Sequence, residues 1–477
     1  MEYIGTNNIA GSKKDFNLYN ALLKTFFLFV LMQVFCYLSD GFFNTEVSLF
    51  FVHLGLMASA VVYWSQIDWR SGRFDTFGAA LVFTYILFKV HAIIDLVYFG
   101  SRVEEIPDTV FIPNNPLWWL MESESLSFCG MIFLVSIWRL KVGDLIDKIS
   151  FAQNKDLVDI RHAKIMYVFS FFSALFLSFF GEELGAYIQF ATLIYSFGVA
   201  CVYFIARDVA SSVRAFLLSL ALAIPLVFMS LNSGMKEAIF FPLIPSVIIF
   251  FSRFRSVSLK ICASITMFVI LGYSQIYVHY VRDITMQGRI SIPATELIDR
   301  FVKDFDSLDL EDGIRSMSGR INMTTTRLIT FAVAKNQGFV PYEIFGLIPA
   351  SFVPRMFWQD KPILLPGAAH TMRVLGLDID IFDVTTATAA GFFLELYLGG
   401  GFFVMLAGSF LFGFMLATLQ VMSVKKINGL GSLGLSFSFV YMALRFDEKH
   451  VVYAFNGIVF SFIFIFAINK ALNYLKK

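Results

Sequence analysis

Apolar stretches of nearly membrane-spanning length recur along this chain from Tyr19 to Ile468, and few folds can hide so many of them from water. Twelve can be told apart: Tyr19–Leu38, Val47–Trp64, Phe77–Tyr98, Leu126–Trp138, Ile165–Phe180, Ala186–Ala206, Ala215–Leu231, Glu237–Phe251, Ile261–Val278, Phe392–Val421, Leu433–Leu444 and Val451–Ile468. A helix needs about 20 residues to cross the hydrocarbon core, so 12 crossings use roughly 240 residues. The chain has 477 residues, 57% of them hydrophobic, and can supply that number. Charged residues make up only 15%, against about 25% in a soluble domain. These values exclude an ordinary soluble enzyme, a disordered chain and a nucleic-acid binder. The fold class expected is all-α, a polytopic membrane protein of about 12 transmembrane helices. The fourth, eighth and eleventh stretches are short, and Pro242 and Pro245 predict a break in the eighth.

The 37 basic and 36 acidic residues nearly cancel, so their placement is what informs. With the N-terminus inside, 21 cations fall on internal segments, among them Lys13, Lys14, Arg70, Arg73, Arg139, Arg207 and Arg253. Only Arg102, Lys236, Arg445 and Lys449 fall on short external loops, while Glu104, Glu105, Glu122 and Glu124 lie outside. Positive charge gathers on the cytoplasmic side of membrane proteins, so both termini are expected to be cytoplasmic. Lys89, Asp95 and His91 sit within the third stretch. Intramembrane charges of this kind raise the prospect of an ion pathway, and pairing with another helix is the expectation here. Cys36, Cys129, Cys201 and Cys262 lie in apolar runs without metal-ligand spacing.

One segment departs from the charge rule. Residues 279–391, between the ninth and tenth stretches, carry 11 cations on the external side. Long loops translocate whatever their charge, so the topology stands. The chain therefore divides into a bundle of spans 1–9 (residues 1–278), an external helical loop (279–391) and spans 10–12 (392–477). Within the loop, Leu297, Phe301 and Phe305 share a helical face, Ile321–Val333 reads as helix, and Gly346–Val353 is apolar but too short to cross. The loop is expected to lie on the outer membrane surface and to dip into it, forming a lid or cleft wall.

Candidate chemistry concentrates there. The Pro354-Arg355…Trp358…Lys361-Pro362 run offers a guanidinium fork and a compact ammonium for phosphate, beside a flat face for sugar or isoprenoid. An interfacial anchor explains the same run equally well. Arg282, Arg289, Arg320, Arg327 and Arg373 add cations that could stabilise negative charge on a departing diphosphate. His370 is the preferred general base, because histidine titrates near neutrality. Glu395, entering the tenth span, is a second catalytic candidate, with Tyr397 beside it; a structural pairing of Glu395 with a loop arginine is the alternative. Lys236 could meet phosphate at the start of the eighth helix. Asp378, Asp380 and Asp383 match no calcium-loop spacing, and no metal or other cofactor is expected.

The turn Asn232-Ser-Gly-Met-Lys236, the Pro354–Pro362 run and Gly391…Glu395…Tyr397…Gly399 occur in that order among about a dozen spans, with a long late external loop. In this arrangement the chain resembles the oligosaccharide repeat-unit polymerases (Wzy-type) of O-antigen and exopolysaccharide assembly. Ser-Gly-Met-Lys departs from the Ser-Arg or Ser-Lys form of that family. The resemblance implies a GT-C-like fold and a metal-independent glycosyltransferase on the periplasmic face of a bacterial inner membrane. Undecaprenyl-diphosphate-linked glycans and membrane lipids would be its partners, with a chain-length regulator protein as a further one. An O-antigen ligase would share the late loop and its arginines, and a lipid or solute transporter is the alternative of a different class.

Overall fold

The computed structural model describes residues 18–39, 45–65, 76–100, 110–113, 116–146, 160–184, 188–230, 240–254, 294–304, 323–353, 366–375, 390–426, 430–446 and 450–475, with a few isolated positions. Among them there is no strand. Seven helices come first: α1 Leu18–Ser39, α2 Thr45–Ser65, α3 Thr76–Phe99, α4 Leu117–Ile146, α5 Ile160–Leu184, α6 Ile188–Arg207 and α7 Ser212–Ser230. A 3₁₀ turn, Phe241–Leu243, leads into α8, Ile244–Arg253, so the break expected at Pro242 and Pro245 is present. In the long loop lie α9 Ala294–Asp304, α10 Thr324–Gln337, a π-turn Tyr342–Gly346, α11 Leu347–Phe352 and α12 Pro366–Leu375. α13 Phe392–Leu398, α14 Gly401–Lys426, α15 Leu430–Leu444 and α16 Val451–Leu475 complete the chain.

Among the described residues, four segments are long and apolar enough to cross a membrane: Thr45–Ser65, Ala80–Phe99, Leu117–Leu140 and Gly401–Ser423. Each of the other expected spans with described residues coincides with a helix, apart from the ninth, most of which lies outside the described residues. Apolar side chains do not all turn inward. Phe26, Phe27, Phe172, Phe403 and Phe466 are each more than half exposed, as expected where lipid replaces water around a bundle.

Two helices differ from the sequence reading. The fourth is not a short span from Leu126 but a 30-residue helix from Leu117 to Ile146, which takes Glu122 and Glu124 out of the expected loop. A window of hydropathy ends at those carboxylates, whereas the backbone does not. The tenth span, expected as one run from Phe392 to Val421, is a hairpin. It breaks at Gly399–Gly401, where Gly401 has φ +80°, a left-handed conformation that glycine adopts without strain. Phe392 and Phe412 rings then meet at 4.9 Å. In a continuous helix, residues 20 apart would be separated by about 30 Å. The short α13 therefore doubles back along α14.

Glycines let α4 pack against this hairpin. A Cβ on Gly413 would lie 2.8 Å from the Leu134 carbonyl oxygen, and one on Gly130 would lie 2.5 Å from Phe393. Close approach of backbones through small residues is the usual means of helix association in membranes. The core between α3, α4, α13, α14 and α15 is aromatic: Phe77, Trp138, Phe392, Phe412, Phe439 and Phe446 are all nearly inaccessible.

Through α10 the loop enters the bundle. Leu328, Phe331, Ala332 and Val333 are buried, and α10 packs against α4, α12 and α13. Its sequence explains this: threonines, alanines and branched apolar residues surround a single arginine, so most of the helix can enter a core. α9 behaves as the periodicity predicts for Leu297, which is buried with Tyr277 and Val281, while Val302 stays exposed.

Candidate functional site

α10 carries polar side chains into the bundle at two places. At the first, Arg327 is fully buried, and its Nη1 donates to both carboxylate oxygens of Glu124 on α4, at 3.0 and 2.8 Å. Lys89 of α3 donates to the same carboxylate from its Nζ and is also fully buried. Both cations lie near the Tyr85 ring face, at 5.2 and 6.0 Å from its centroid, an arrangement that favours positive charge. His53 of α2 and Asp95 of α3 are buried as well, and His53 lies within electrostatic reach of Lys89, Glu124 and Arg327. One carboxylate thus joins three helices, α3, α4 and α10. Lys89 is paired with another helix, as expected. Arg327 is not part of an open anion-binding surface, because its guanidinium is already committed to Glu124 inside the bundle.

One turn further along α10, the Thr330 hydroxyl lies 3.0 Å from the Ala390 carbonyl and 2.9 Å from that of Thr326. His370 Nε2 of α12 is 3.3 Å from the same hydroxyl. The hydroxyl has one proton and two carbonyls to receive it, so toward His370 it acts as acceptor and His370 Nε2 as donor. Burial, with His450 and Arg373 nearby, pushes the His370 imidazole down to about 3. It therefore stays neutral, and its basicity is weak for a general base operating near neutrality.

Beyond His370 lies a residue that the sequence reading passed over. His450 immediately precedes α16, and its Nδ1 is 3.3 Å from Glu395 Oε1 on α13. The other oxygen, Glu395 Oε2, accepts the Val451 backbone N–H at 2.6 Å, at the first turn of α16. A carboxylate at a helix N-terminus satisfies an orphan donor and complements the helix dipole. The backward fold of α13 is what carries Glu395 to this position. Among the described residues, Glu395 pairs with this histidine and helix end.

The aromatic and cationic candidates sit around this core. Tyr397 stacks on Phe331 at 5.6 Å and meets Phe339 edge-on at 6.0 Å. Arg373 is ion-paired with Glu343 of the π-turn. Trp358 is 40% exposed, as either sugar stacking or interfacial anchoring requires. Lys335, at the far end of α10, reaches Glu122 at 3.3 Å. α11 is fixed to α16 through Ser351 and Asn456, whose side chains hydrogen-bond. Lys236, Arg282, Arg289, Arg320, Arg355 and Lys361 lie outside the described residues. Of the sequence-derived candidates, His370 lies within electrostatic reach of Arg373 and of His450, the hydrogen-bond partner of Glu395. Among the described residues, no group of three histidine, cysteine or acidic side chains is placed to hold a metal ion.

The depth of this cluster is unusual. α15 has 15 residues, a length of about 22 Å against a hydrocarbon core of about 30 Å. Phe446, just past its end, meets Phe77 at the start of α3, with centroids 6.0 Å apart. Phe446 is buried, so α15 ends within the bundle.

Among the described residues, these features define an all-helical protein with four helices apolar and long enough to cross a membrane, in which α10 of the late loop packs into the bundle beside a histidine–carboxylate pair. Residues 125–476 match the model of a domain of unknown function, DUF8712, and the chain belongs to that family. No curated protein and no solved structure matches the chain.

Proposed function

We propose that the protein is a polysaccharide polymerase with 12 transmembrane spans and a GT-C-like architecture, in the inner membrane of a bacterium with both termini cytoplasmic. At the periplasmic face it joins undecaprenyl-diphosphate-linked oligosaccharide repeat units into O-antigen or a related surface polysaccharide. The acceptor hydroxyl attacks the anomeric carbon of the donor, the bond from that carbon to the diphosphate oxygen breaks, and the electron pair leaves with the diphosphate. The sugar–diphosphate bond supplies the driving force. Loop cations, Arg355 and Arg320 among them, stabilise the charge on the leaving group.

The observation that carries this reading is the convergence of the late loop and the hairpin. Thr330 with His370, and Glu395 with His450, form two polar pairs within electrostatic reach of each other among helices that are otherwise apolar. Intramembrane ionisable residues mark sites of function by default. Deletion of the gene tests it. Single repeat units are expected on the carrier or on the core, with loss of long chains, and an intact copy is expected to restore the ladder. An unchanged chain-length distribution would remove the proposal, and Arg320→Ala with Arg355→Ala leaving length normal would remove the arginine assignment.

A second reading rests on the Lys89–Glu124–Arg327 cluster. Charges bridging three helices in the apolar bundle also suit a transporter with a proton or ion pathway. Proton-coupled uptake into vesicles that is lost in Glu124→Gln would favour it, and normal polymer in that strain would count against the polymerase.

A further inference from the structure

We propose that His450 is the general base of the transfer reaction and Glu395 the residue that orients it; the assignment rests on the polymerase reading above and names the residue that moves its proton. The geometry around the imidazole carries the argument. Glu395 can only accept when ionised, so it holds the single proton of a neutral His450 on Nδ1, at 3.3 Å. Nε2 is left with its lone pair, and it has no hydrogen-bond partner among the described residues. A base presented in one tautomer, steered by a carboxylate that is itself fixed, is the pairing by which enzymes activate hydroxyl nucleophiles.

That carboxylate is fixed firmly. Its second oxygen is occupied by the Val451 N–H, so it cannot swing away from the ring. The short helix bearing it is wedged between Phe392 contacts to Phe412 and Phe446. Glu395 from α13 is hydrogen-bonded to His450, Tyr453 of its own helix meets the ring edge-on, and His370 from α12 lies within electrostatic reach, as Arg373 does of His370. His370, held by Thr330, is a neutral wall of the site rather than the base.

In the step, the acceptor hydroxyl gives its proton to His450 Nε2 as its oxygen bonds to the anomeric carbon. The bond from that carbon to the diphosphate breaks, and its electron pair stays on the diphosphate oxygen. The imidazolium then returns the proton to water. Its charge is balanced in the meantime by Glu395. No oxidant, reductant or further reactant is needed.

The test uses full-length protein in proteoliposomes, with lipid-linked repeat units extracted from the deletion strain as the probe and polymer length as the readout. Wild type is expected to polymerise, with a rate that falls along a single-proton limb as the medium is acidified. His450→Ala should lose about 100-fold or more, and added imidazole should recover part of the rate. Recovery separates lost chemistry from lost folding. Glu395→Gln keeps an acceptor for Val451 N–H and should lower kcat and displace the acid limb while leaving KM near wild type. His450→Ala polymerising at the wild-type rate would overturn the assignment alone, as would a wild-type profile without the acid limb. Wild-type protein that forms no polymer from these units would overturn the polymerase reading, and the assignment with it.

Discussion

Replacing Glu124 by glutamine should damage this protein more than replacing either cation that binds it. The reason is counting. Glu124 is the shared anion of Lys89 and Arg327, all three side chains being inaccessible. Removing its charge takes this shared anion from two buried cations at once, whereas Lys89→Met leaves Arg327 and Glu124 as a pair, and Arg327→Met leaves Lys89 and Glu124. Breaking a buried pair by removing one partner costs about 3–5 kcal/mol, because the remaining charge is left uncompensated. That is roughly two to three and a half orders of magnitude in the folded ratio. Lys89→Met and Arg327→Met should each cost less. The triple change to Met at positions 89, 124 and 327 should recover much of the loss, since apolar replacement of a buried ionic triad is often neutral or stabilising by about 1–4 kcal/mol. Unfolding in mixed micelles with increasing SDS, followed by tryptophan fluorescence, would measure the order; Trp119 against Phe331 reports on α10 directly. If Glu124→Gln resisted SDS as well as wild type, or better than either Met variant, the shared-anion account would be wrong.

Three further expectations concern other parts of the molecule. Gly413→Ala should cost about 1–3 kcal/mol by overpacking, because its Cβ would press on the Leu134 carbonyl at 2.8 Å, and the same SDS titration measures it. Lys335→Ala should leave the midpoint almost unmoved, since its ion pair with Glu122 is well exposed on both sides and such pairs contribute little. His370, held at about 3 against 6.5 unfolded, takes up protons only on unfolding between those values. Its contribution is therefore complete above about pH 6.5 and is lost as pH falls toward 3, by about 1.4 kcal/mol per pH unit in that window. His370→Gln should flatten the acid side of a stability–pH curve, and an unchanged slope would refute the assignment.

The parts of this fold that the sequence announces are those decided within one helix. Apolar runs marked most helices to within a few residues, and Pro242 with Pro245 marked a break, because hydropathy and proline chemistry act locally. What escaped was decided between segments. Arg327 read as one of several loop cations available to a diphosphate because its buried partner Glu124 lies 203 positions away. Glu124 read as a loop carboxylate because a charge ends an apolar window, although a charge with buried partners does not end a helix. Phe392–Val421 read as one unbroken span because its apolar run is continuous; at Gly401 the backbone turns left-handed, and the chain reverses. That reversal has the largest consequence. Had Phe392–Val421 run straight, Glu395 would sit one turn inside a span, facing whatever helix happened to be near. Folded back, it meets the start of α16, 55 residues later, and finds His450 and a free helix N-terminus together. A carboxylate near a membrane end, a positive-φ glycine a few residues on, and a histidine just before the next-but-one span are each unremarkable alone. Only the hairpin makes them one site, so an insertion that straightens it, such as helix-forming alanines in place of Gly399–Gly401, should separate Glu395 from His450 while leaving every side chain of the site intact.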